Sequence, residues 1–195
     1  MPAASLLAQS LGSPPAPPPA AGAAGVERPP QLAELFARYA PYVAAIGFKL
    51  LGRDDDLDDL VQDVFVEAHR GLAQLRTADA AKGWLARITV RRAVRRLRRQ
   101  KVRAFFSLDT LPEHAAPVDG AATPEERAHV SAVYRKLEAL PVPQRVVWVL
   151  RFVEGETLDA IAALCACSKA TVQRRLRAAQ RELQGESVDD RKEPT

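Results

Sequence analysis

The sequence predicts an all-α protein: two small helical domains joined by a flexible linker, with a disordered N-terminal tail. Apolar residues recur at three- and four-residue steps over most of the chain, as on the buried face of an amphipathic helix. No stretch shows the alternation of apolar and polar residues that is typical of a strand. Prolines and glycines interrupt the helical pattern near the middle of the chain, which indicates a connection between two domains. The predicted segments are a tail at 1–30, a first domain at 31–103, a linker at 104–123, a second domain at 124–185 and a charged tail at 186–195.

The N-terminal tail is dominated by alanine, proline and glycine and carries almost no charge. Such a segment cannot bury enough apolar surface to fold, and we interpret it as disordered, with a proline-rich ligand as the alternative. The chain starts Met1-Pro2-Ala3 without the basic segment of a secretory signal, and no apolar run is long enough to span a bilayer. We therefore expect a soluble cytoplasmic protein.

The first domain should contain three helices. The first ends at Gly52, and the second begins with Asp54 and Asp55 as candidate caps. A looser stretch then leads to a long third helix from Trp84 to about Val102. The predicted buried stripe of the first helix is Leu32, Leu35, Phe36, Tyr39, Val43, Ile46 and Leu50. The predicted stripe of the second is Leu57, Leu60, Val61, Val64, Phe65 and Ala68.

The second helix is acidic on its other side. Helical geometry places Asp55, Asp59, Gln62 and Val66 opposite the buried stripe, so that an apolar residue stands in the middle of a polar face. One interpretation is a docking face for a basic partner, with Val66 as its dry centre. The other is a solvated surface with one exposed valine, since single exposed apolar residues are ordinary.

The third helix is basic. Between Lys82 and Arg103 there are ten lysines and arginines and no acidic residue. Like charges at helical spacing repel, and a nucleic-acid backbone would offset the repulsion. A solvated basic face and an anionic membrane surface are the alternatives, and the membrane is disfavoured because the helix lacks a continuous apolar face. Trp84 can be a core residue or can stack on an unpaired base. One side of the helix carries Arg91, Arg95, Arg98 and Arg99, and another carries Arg92, Arg96, Arg99 and Arg103.

Helices in the second domain are predicted at 124–139, 142–153, 157–164 and 168–183, with Thr123 and Pro124 at the start of the first. The last two helices, joined by a three-residue turn, have the layout of a helix-turn-helix DNA reader. The final helix has an apolar stripe of Val172, Leu176, Ala179 and Leu183. Its opposite face carries Gln173, Arg174, Arg177 and Arg181.

Ser168 is placed to cap the final helix, whose free N–H groups could then hold a phosphate. Arg174 and Arg177 could each contact a guanine edge, and Gln173 an adenine edge, although phosphate contacts are equally compatible with these residues.

The only two cysteines lie in the turn and are interpreted as fillers of small apolar positions. The three histidines are scattered, and no phosphate loop or calcium loop is present, so we expect no metal, no cofactor and no enzymatic activity.

Three segments, in this order, resemble the extracytoplasmic-function (ECF) sigma factors of the sigma-70 family. The segment from Asp59 to Phe65 reads Asp-Leu-Val-Gln-Asp-Val-Phe, similar to the signature of region 2.2. Trp84-Leu85-Ala86-Arg87-Ile88 resembles the start of the helix of regions 2.3 and 2.4. Leu140-Pro141, followed by Arg151-Phe152-Val153-Glu154-Gly155 and the helix-turn-helix, resembles region 4.

The resemblance implies three binding surfaces on an RNA polymerase subunit that directs promoter-specific initiation. The acidic helix would dock on the β′ clamp helices of core polymerase through Asp55, Asp59, Gln62, Asp63 and Val66. The basic helix and the loop before it would bind and open the −10 element through Trp84, Arg87, Arg91, Arg92, Arg95, Arg98 and Arg99. The final helix would read the −35 element through Ser168, Lys169, Thr171, Gln173, Arg174 and Arg177. Further implied partners are the polymerase β subunit and an anti-sigma factor that covers both domains, with no insertion into a membrane.

The sequence departs from the family at two places. Arg91 and Arg95 stand where asparagine and aspartate are frequent, which suggests tighter contact with the DNA backbone. Ala166 replaces the usual glycine of the turn, and we expect strain there if the position needs a positive φ. An autonomous helix-turn-helix regulator is the main alternative function, and a basic RNA-binding or membrane-surface protein is a third.

Overall fold

A computed structural model describes residues 31–52, 56–75, 77–106 and 123–184, leaving out the side chains of 104–106 and 126–127. The predicted tails, nearly all of the predicted linker, and Asp54 and Asp55 lie outside the described residues. Within the described ranges the regular structure is entirely helical, which confirms the all-α prediction. The helices are α1 (Leu32–Leu51), α2 (Leu57–Gly71), α3 (Ala81–Phe106), α4 (Pro124–Ala139), α5 (Val142–Phe152), α6 (Leu158–Leu164) and α7 (Lys169–Gln184).

Helices α1, α2 and α3 pack against one another and form the first half of the molecule. Gly52 follows the last residue of α1, as the sequence predicted. Its φ of 73° and its N–H bond to the Phe48 carbonyl make it a left-handed C-terminal cap. The predicted stripes of α1 and α2 supply about half of the buried apolar residues of this first half, and α3 supplies most of the others. Phe36 is an error in the predicted stripe, because 49% of its surface is exposed while Leu35 beside it is buried.

The approach to α3 contains two short 3₁₀ turns, Leu72–Gln74 and Ala78–Ala80. Helix α3 begins at Ala81 and ends at Phe106, so it starts before the predicted Trp84 and continues into the predicted linker. Its apolar residues Leu85, Ile88 and Leu97 are buried between α1 and α2. This burial fixes which arginines of α3 point inward and which face solvent.

The second half contains α4 to α7, with bounds within about one residue of the predicted ones. Val146, Val147 and Leu150 of α5 are buried together with Ile161 of α6 and Val172 of α7. Burial of these aliphatic side chains is the main force that holds so short a helix pair together.

The two halves pack against each other. Helices α1 and α3 contact α5, and α3 also contacts α6, so that one hydrophobic cluster extends through both halves. The sequence left the relative placement of the domains open. None of the helices in the described part of the chain combines the length and the apolarity that a membrane span requires.

Candidate nucleic-acid interface

The turn between α6 and α7 is a Schellman motif built on alanine. The N–H of Cys167 bonds to the Ala162 carbonyl (3.0 Å), and the N–H of Ala166 bonds to the Ala163 carbonyl (3.4 Å). This motif requires a left-handed residue after the helix end, and Ala166 occupies it with φ 50°. Ala166 is the one non-glycine residue with positive φ in the described part of the chain. The expected strain at this position is therefore present.

The start of α7 is capped as the sequence predicted. The Ser168 hydroxyl accepts a hydrogen bond from the Thr171 N–H at 3.2 Å and lies 2.9 Å from the Thr171 hydroxyl. The Lys169 ammonium donates to the Asp159 carboxylate of α6 at 2.9 Å, and both side chains are more than half exposed. The Ser168 bonds cap the start of α7, and the exposed Lys169–Asp159 pair joins it to α6.

Helix α7 separates an apolar side from a polar side. Val172, Leu176 and Ala179 are buried against α5 and α6. The residues predicted to read DNA, namely Gln173, Arg174 and Arg177, are exposed, as is Arg181. Of the other predicted −35 residues, Ser168 and Lys169 are exposed at the start of α7, and Thr171 is half-buried.

Arg175 was missed by the sequence analysis. It is half-buried, lines a groove between α7 and α3, and its guanidinium lies 3.7 Å from the Cys167 sulfur. Helical spacing places it between the buried stripe and the predicted reading face, so periodicity gave it no role. The contact ties α7 to the turn that precedes it.

The arginines of α3 fall into two sets, and the inner set already has protein partners. Both Arg91 and Arg92 donate to the Glu67 carboxylate of α2. Arg96 donates to Asp63 at 2.7 Å and lies 3.6 Å from Asp56. The expectation that a polyanion must offset the repulsion along this helix was therefore wrong for the inner set, because α2 supplies the opposite charges.

The outer set remains available to a ligand. Arg87, Arg95, Arg98 and Arg99 are exposed, and so is Arg91 despite its bond to Glu67. Four arginines at positions 87, 91, 95 and 98 line the wall of the groove opposite Leu164, Cys165 and Arg175. These arginines give the groove wall a positive charge that suits an anionic partner.

Trp84 is half-buried at the start of α3. It packs against the apolar core and lies so close to Gly71 that a Cβ added there would be 3.1 Å from the indole ring. This placement favours the core interpretation for most of the ring, while its exposed part lies at the same end of α3 as Arg87.

The outer side of α2 carries the predicted docking residues. Val66 is 51% exposed, and Asp59 and Gln62 are exposed on the same helix. Asp63 differs, because it is half-buried and bound to Arg96. Asp55 lies outside the described residues. Phe36 adds an exposed aromatic group near this helix, with its ring 4.8 Å from that of Phe65, and the sequence analysis had assigned it to the core.

Burial alters the acidity of one group in the turn. Burial raises the pKa of the Cys165 thiol to about 11, so this thiol is protonated and inert at neutral pH. The described residues contain no cluster of histidine, cysteine and carboxylate groups that could bind a metal ion.

Two family profiles match the chain, one in each half. The profile described as Sigma-70 region 2 matches residues 35–103, and that described as Sigma-70, region 4 matches residues 131–183. The ECF RNA polymerase sigma factor SigM of Mycobacterium tuberculosis is 32% identical over 142 residues, which cover 73% of this chain and 69% of that protein. The ECF RNA polymerase sigma-E factor of Escherichia coli is 29% identical, with 84% of this chain and 82% of that protein covered.

Two solved structures share the fold. The sigma factor RpoE of Bartonella quintana, crystallised with the anti-sigma factor NepR, superposes with a TM-score of 0.57 at 22% identity, covering 80% of this chain and 96% of that one. CnrH in complex with the cytosolic domain of CnrY gives a TM-score of 0.51 at 23% identity, covering 82% and 88%.

Proposed function

The chain belongs to the ECF branch of the sigma-70 family of RNA polymerase sigma factors, and from that membership we propose how its surfaces divide the work of promoter recognition. It binds core polymerase and directs initiation at specific promoters. We assign residues 31–103 to region 2 and residues 124–185 to region 4, with 104–123 as the linker. We also infer that it acts in the cytoplasm, where polymerase and promoter meet, and has no catalytic activity of its own.

Recognition of the −35 element is assigned to α7. The observation that carries this assignment is the exposure of Gln173, Arg174 and Arg177 on a helix whose opposite side is buried and whose start is capped by Ser168. Such a helix presents its N-terminal half to the major groove, where arginine can bind guanine through two hydrogen bonds. Lys169 and Thr171 lie at the same end and suit phosphate contacts.

Binding and opening of the −10 element is assigned to α3 and the turns before it. The outer arginines Arg87, Arg95, Arg98 and Arg99 suit the phosphate backbone, and Trp84 is at the helix start, where an unpaired base could stack on its exposed part. Arg91 and Arg92 would have to share their charge between DNA and Glu67.

Docking on the β′ clamp helices is assigned to the outer side of α2. Val66 lies at its centre, with Asp59 and Gln62 nearby. Asp63 contributes mainly by binding Arg96. A role for Asp55 in docking stays a prediction from the sequence. Contact with the β subunit is a further expectation from the family.

Run-off transcription with core polymerase tests this division. Arg174→Ala or Arg177→Ala should lower promoter-dependent transcription about 5- to 150-fold, because a two-bond guanine contact contributes about 1–3 kcal/mol. Polymerase binding should be unchanged. Arg181→Ala is the matched control, since it removes an exposed arginine from the same helix one turn further on.

Val66→Asp should have the opposite effect. It should weaken binding to polymerase and leave recognition of the −35 element unchanged. The assignment fails if Val66→Asp and Arg174→Ala produce the same defect. An autonomous regulator would instead bind its operator tightly without polymerase, and Val66→Asp would leave transcription control intact.

An anti-sigma factor is a further proposed partner. Two proteins of the same fold were solved with binding partners, NepR with RpoE and CnrY with CnrH. The groove between α3 and α7 combines arginines with Val94 and Leu164, which suits an acidic, amphipathic segment. A purified partner of this kind should lose affinity for an Arg98→Glu variant in a pull-down assay.

A further inference from the structure

Two matched ion pairs join helices α2 and α3. The Asp63 carboxylate accepts a hydrogen bond from Arg96 at 2.7 Å, and the Glu67 carboxylate accepts one from Arg92. Asp63 and Glu67 are four residues apart on α2, and Arg92 and Arg96 are four residues apart on α3. Because four residues make about one helical turn, the two pairs form successive rungs between the helices. The Arg92 and Arg96 side chains are only 23% and 18% exposed, so the arginines of both rungs are largely buried.

Arg91 stands outside this ladder of ion pairs. It donates to the second oxygen of the Glu67 carboxylate, so that one negative charge holds two arginines. The Arg91 side chain is 50% exposed, about twice as much as that of Arg92. Arg91 also lines the groove between α3 and α7. It can therefore leave Glu67 for a ligand in the groove without breaking a rung of the ladder.

A carboxylate and a phosphate compete for the same guanidinium, because both are anions that accept paired hydrogen bonds from arginine. When an arginine moves from a carboxylate to a phosphate, the charge of the carboxylate stays behind. Here that charge does not become unpaired, since Arg92 still binds Glu67. The balance between Glu67 and phosphate therefore decides how much Arg91 contributes to DNA binding.

We propose that Glu67 is a positioning residue that competes with the DNA backbone for Arg91, and so sets the strength and the salt dependence with which α3 holds the −10 strand. The proposal rests on the assignment of −10 binding to α3 made above. Arg91 binds phosphate at the expense of its bond to Glu67, whereas Arg95, one turn further along the groove wall, is exposed and is not held by Glu67. Glu67 thus lowers a contribution to affinity that is the same for every DNA sequence.

Glu67→Gln tests the competition with little change in shape. Glutamine has nearly the size of glutamate but is uncharged and has one acceptor oxygen in place of two, so it cannot bind each arginine through its own oxygen. Arg92 belongs to the ladder and is the more buried of the two, so Arg91 is the one released. Asp58→Asn is the matched control, since it removes one negative charge from an exposed position of the same helix.

Fluorescence anisotropy of a labelled single-stranded oligothymidylate measures the binding, with the full chain and without polymerase. A single base type suits the test because phosphate contacts carry no sequence information. At low salt Glu67→Gln should bind about 2- to 5-fold more tightly than the unaltered protein, the range expected for releasing one exposed ion pair. The plot of log K against log salt should steepen by about 0.7, the slope that one more phosphate contact adds on a single strand. Asp58→Asn should change both quantities much less.

Double-mutant cycles identify the side chain through which Glu67 acts. Combined with Arg91→Ala, Glu67→Gln should lose most of its effect on affinity and salt slope, because the released arginine is absent. Combined with Arg95→Ala, it should keep its full effect, since Glu67 is bound to Arg91 and Arg92. Equal effects in the two backgrounds would indicate a general change of charge and would overturn the proposal. An unchanged affinity and slope in Glu67→Gln itself would do the same.

A second measurement does not depend on how well the Glu67→Gln variant folds. In the otherwise unaltered protein, Arg91→Ala should weaken oligonucleotide binding less than Arg95→Ala, because Glu67 already neutralises part of the Arg91 charge. Both arginines are exposed on the same wall of the groove, so position alone does not explain a difference. A larger loss from Arg91→Ala than from Arg95→Ala would contradict the competition.

Arg98→Ala distinguishes failure of this proposal from failure of the assignment of α3. Arg98 is exposed on the groove wall, and its removal should weaken binding of the oligonucleotide whatever residue stands at position 67. If Arg98→Ala weakens binding while Glu67→Gln leaves it unchanged, α3 binds the strand and Glu67 does not control it. If neither substitution changes binding, the assignment of the −10 surface and the role of Glu67 are both wrong.

Discussion

Ala166→Gly should stabilise the protein by about 0.5–1 kcal/mol. The structure places Ala166 at φ 50°, where a residue with a Cβ loses roughly 1–2 kcal/mol relative to the right-handed region. Glycine removes that strain, but it also frees the unfolded chain, at a cost of about 0.4–1 kcal/mol. The middles of the two ranges, about 1.5 and about 0.7 kcal/mol, differ by about 0.8 kcal/mol, which corresponds to a melting temperature about 2–3 °C higher for a protein of this size.

Thermal and urea denaturation would measure the change, with Ala163→Gly as the matched control. Ala163 is also exposed and lies only three residues earlier, but it has helical geometry in α6. Glycine there should destabilise by about 0.5–1 kcal/mol. If the two substitutions changed stability in the same direction, the turn would not carry the strain that its φ indicates. The reasoning would then be refuted.

Three other predictions concern stability and reactivity. Arg96→Ala should cost about 0.5–1.5 kcal/mol in urea denaturation because it removes the hydrogen bond to the partly exposed Asp63 carboxylate, whereas the exposed neighbour Arg95→Ala should change stability by less than about 0.5 kcal/mol. Gly52→Ala should cost more than about 2 kcal/mol, since the new Cβ meets Tyr134 in a left-handed backbone, and equal stability would disprove the close approach. Cys165 should react with iodoacetamide at pH 8 much more slowly than in the urea-unfolded chain. Because its folded pKa of about 11 exceeds the ordinary 9.0, its contribution to stability is complete below pH 9 and is lost as pH rises through 11; rapid labelling of the folded protein at pH 8 would contradict this.

Helix content and the helix-turn-helix could be predicted because their signals are local. Apolar spacing gave the stripes of α1, α2 and α7, and Ser168 marked the start of the last helix. Ala166 is the sharpest case. The resemblance to a family that usually has glycine at this position pointed to a positive φ, and the structure has it. Boundaries were less accurate, since α3 begins and ends three to four residues beyond the predicted limits.

The contacts between the halves could not be predicted from the sequence. Lys49 is a polar residue in an amphipathic pattern and is expected on the surface, yet it is buried because Glu154 from the other half meets it. Arg145 and Tyr134 are likewise buried by contacts more than 80 residues away along the chain. The periodicity of apolar residues indicates which side of a helix is buried. It does not indicate which polar side chains the other half of the molecule will cover.

The same limitation explains why some charges on α2 and α3 that the sequence assigned to external partners bind each other instead. The sequence shows an acidic helix and a basic helix, and each was assigned to an external partner. In the structure Asp63 and Glu67 on one side of α2 neutralise Arg96 and Arg92, while Val66 on its other side faces solvent. A substitution that breaks these bonds would loosen α3 from α2 and impair polymerase and DNA binding together, because both surfaces depend on that packing. Substitutions on the outer sides can separate the two functions, which is why Val66 and Arg174 are the informative pair.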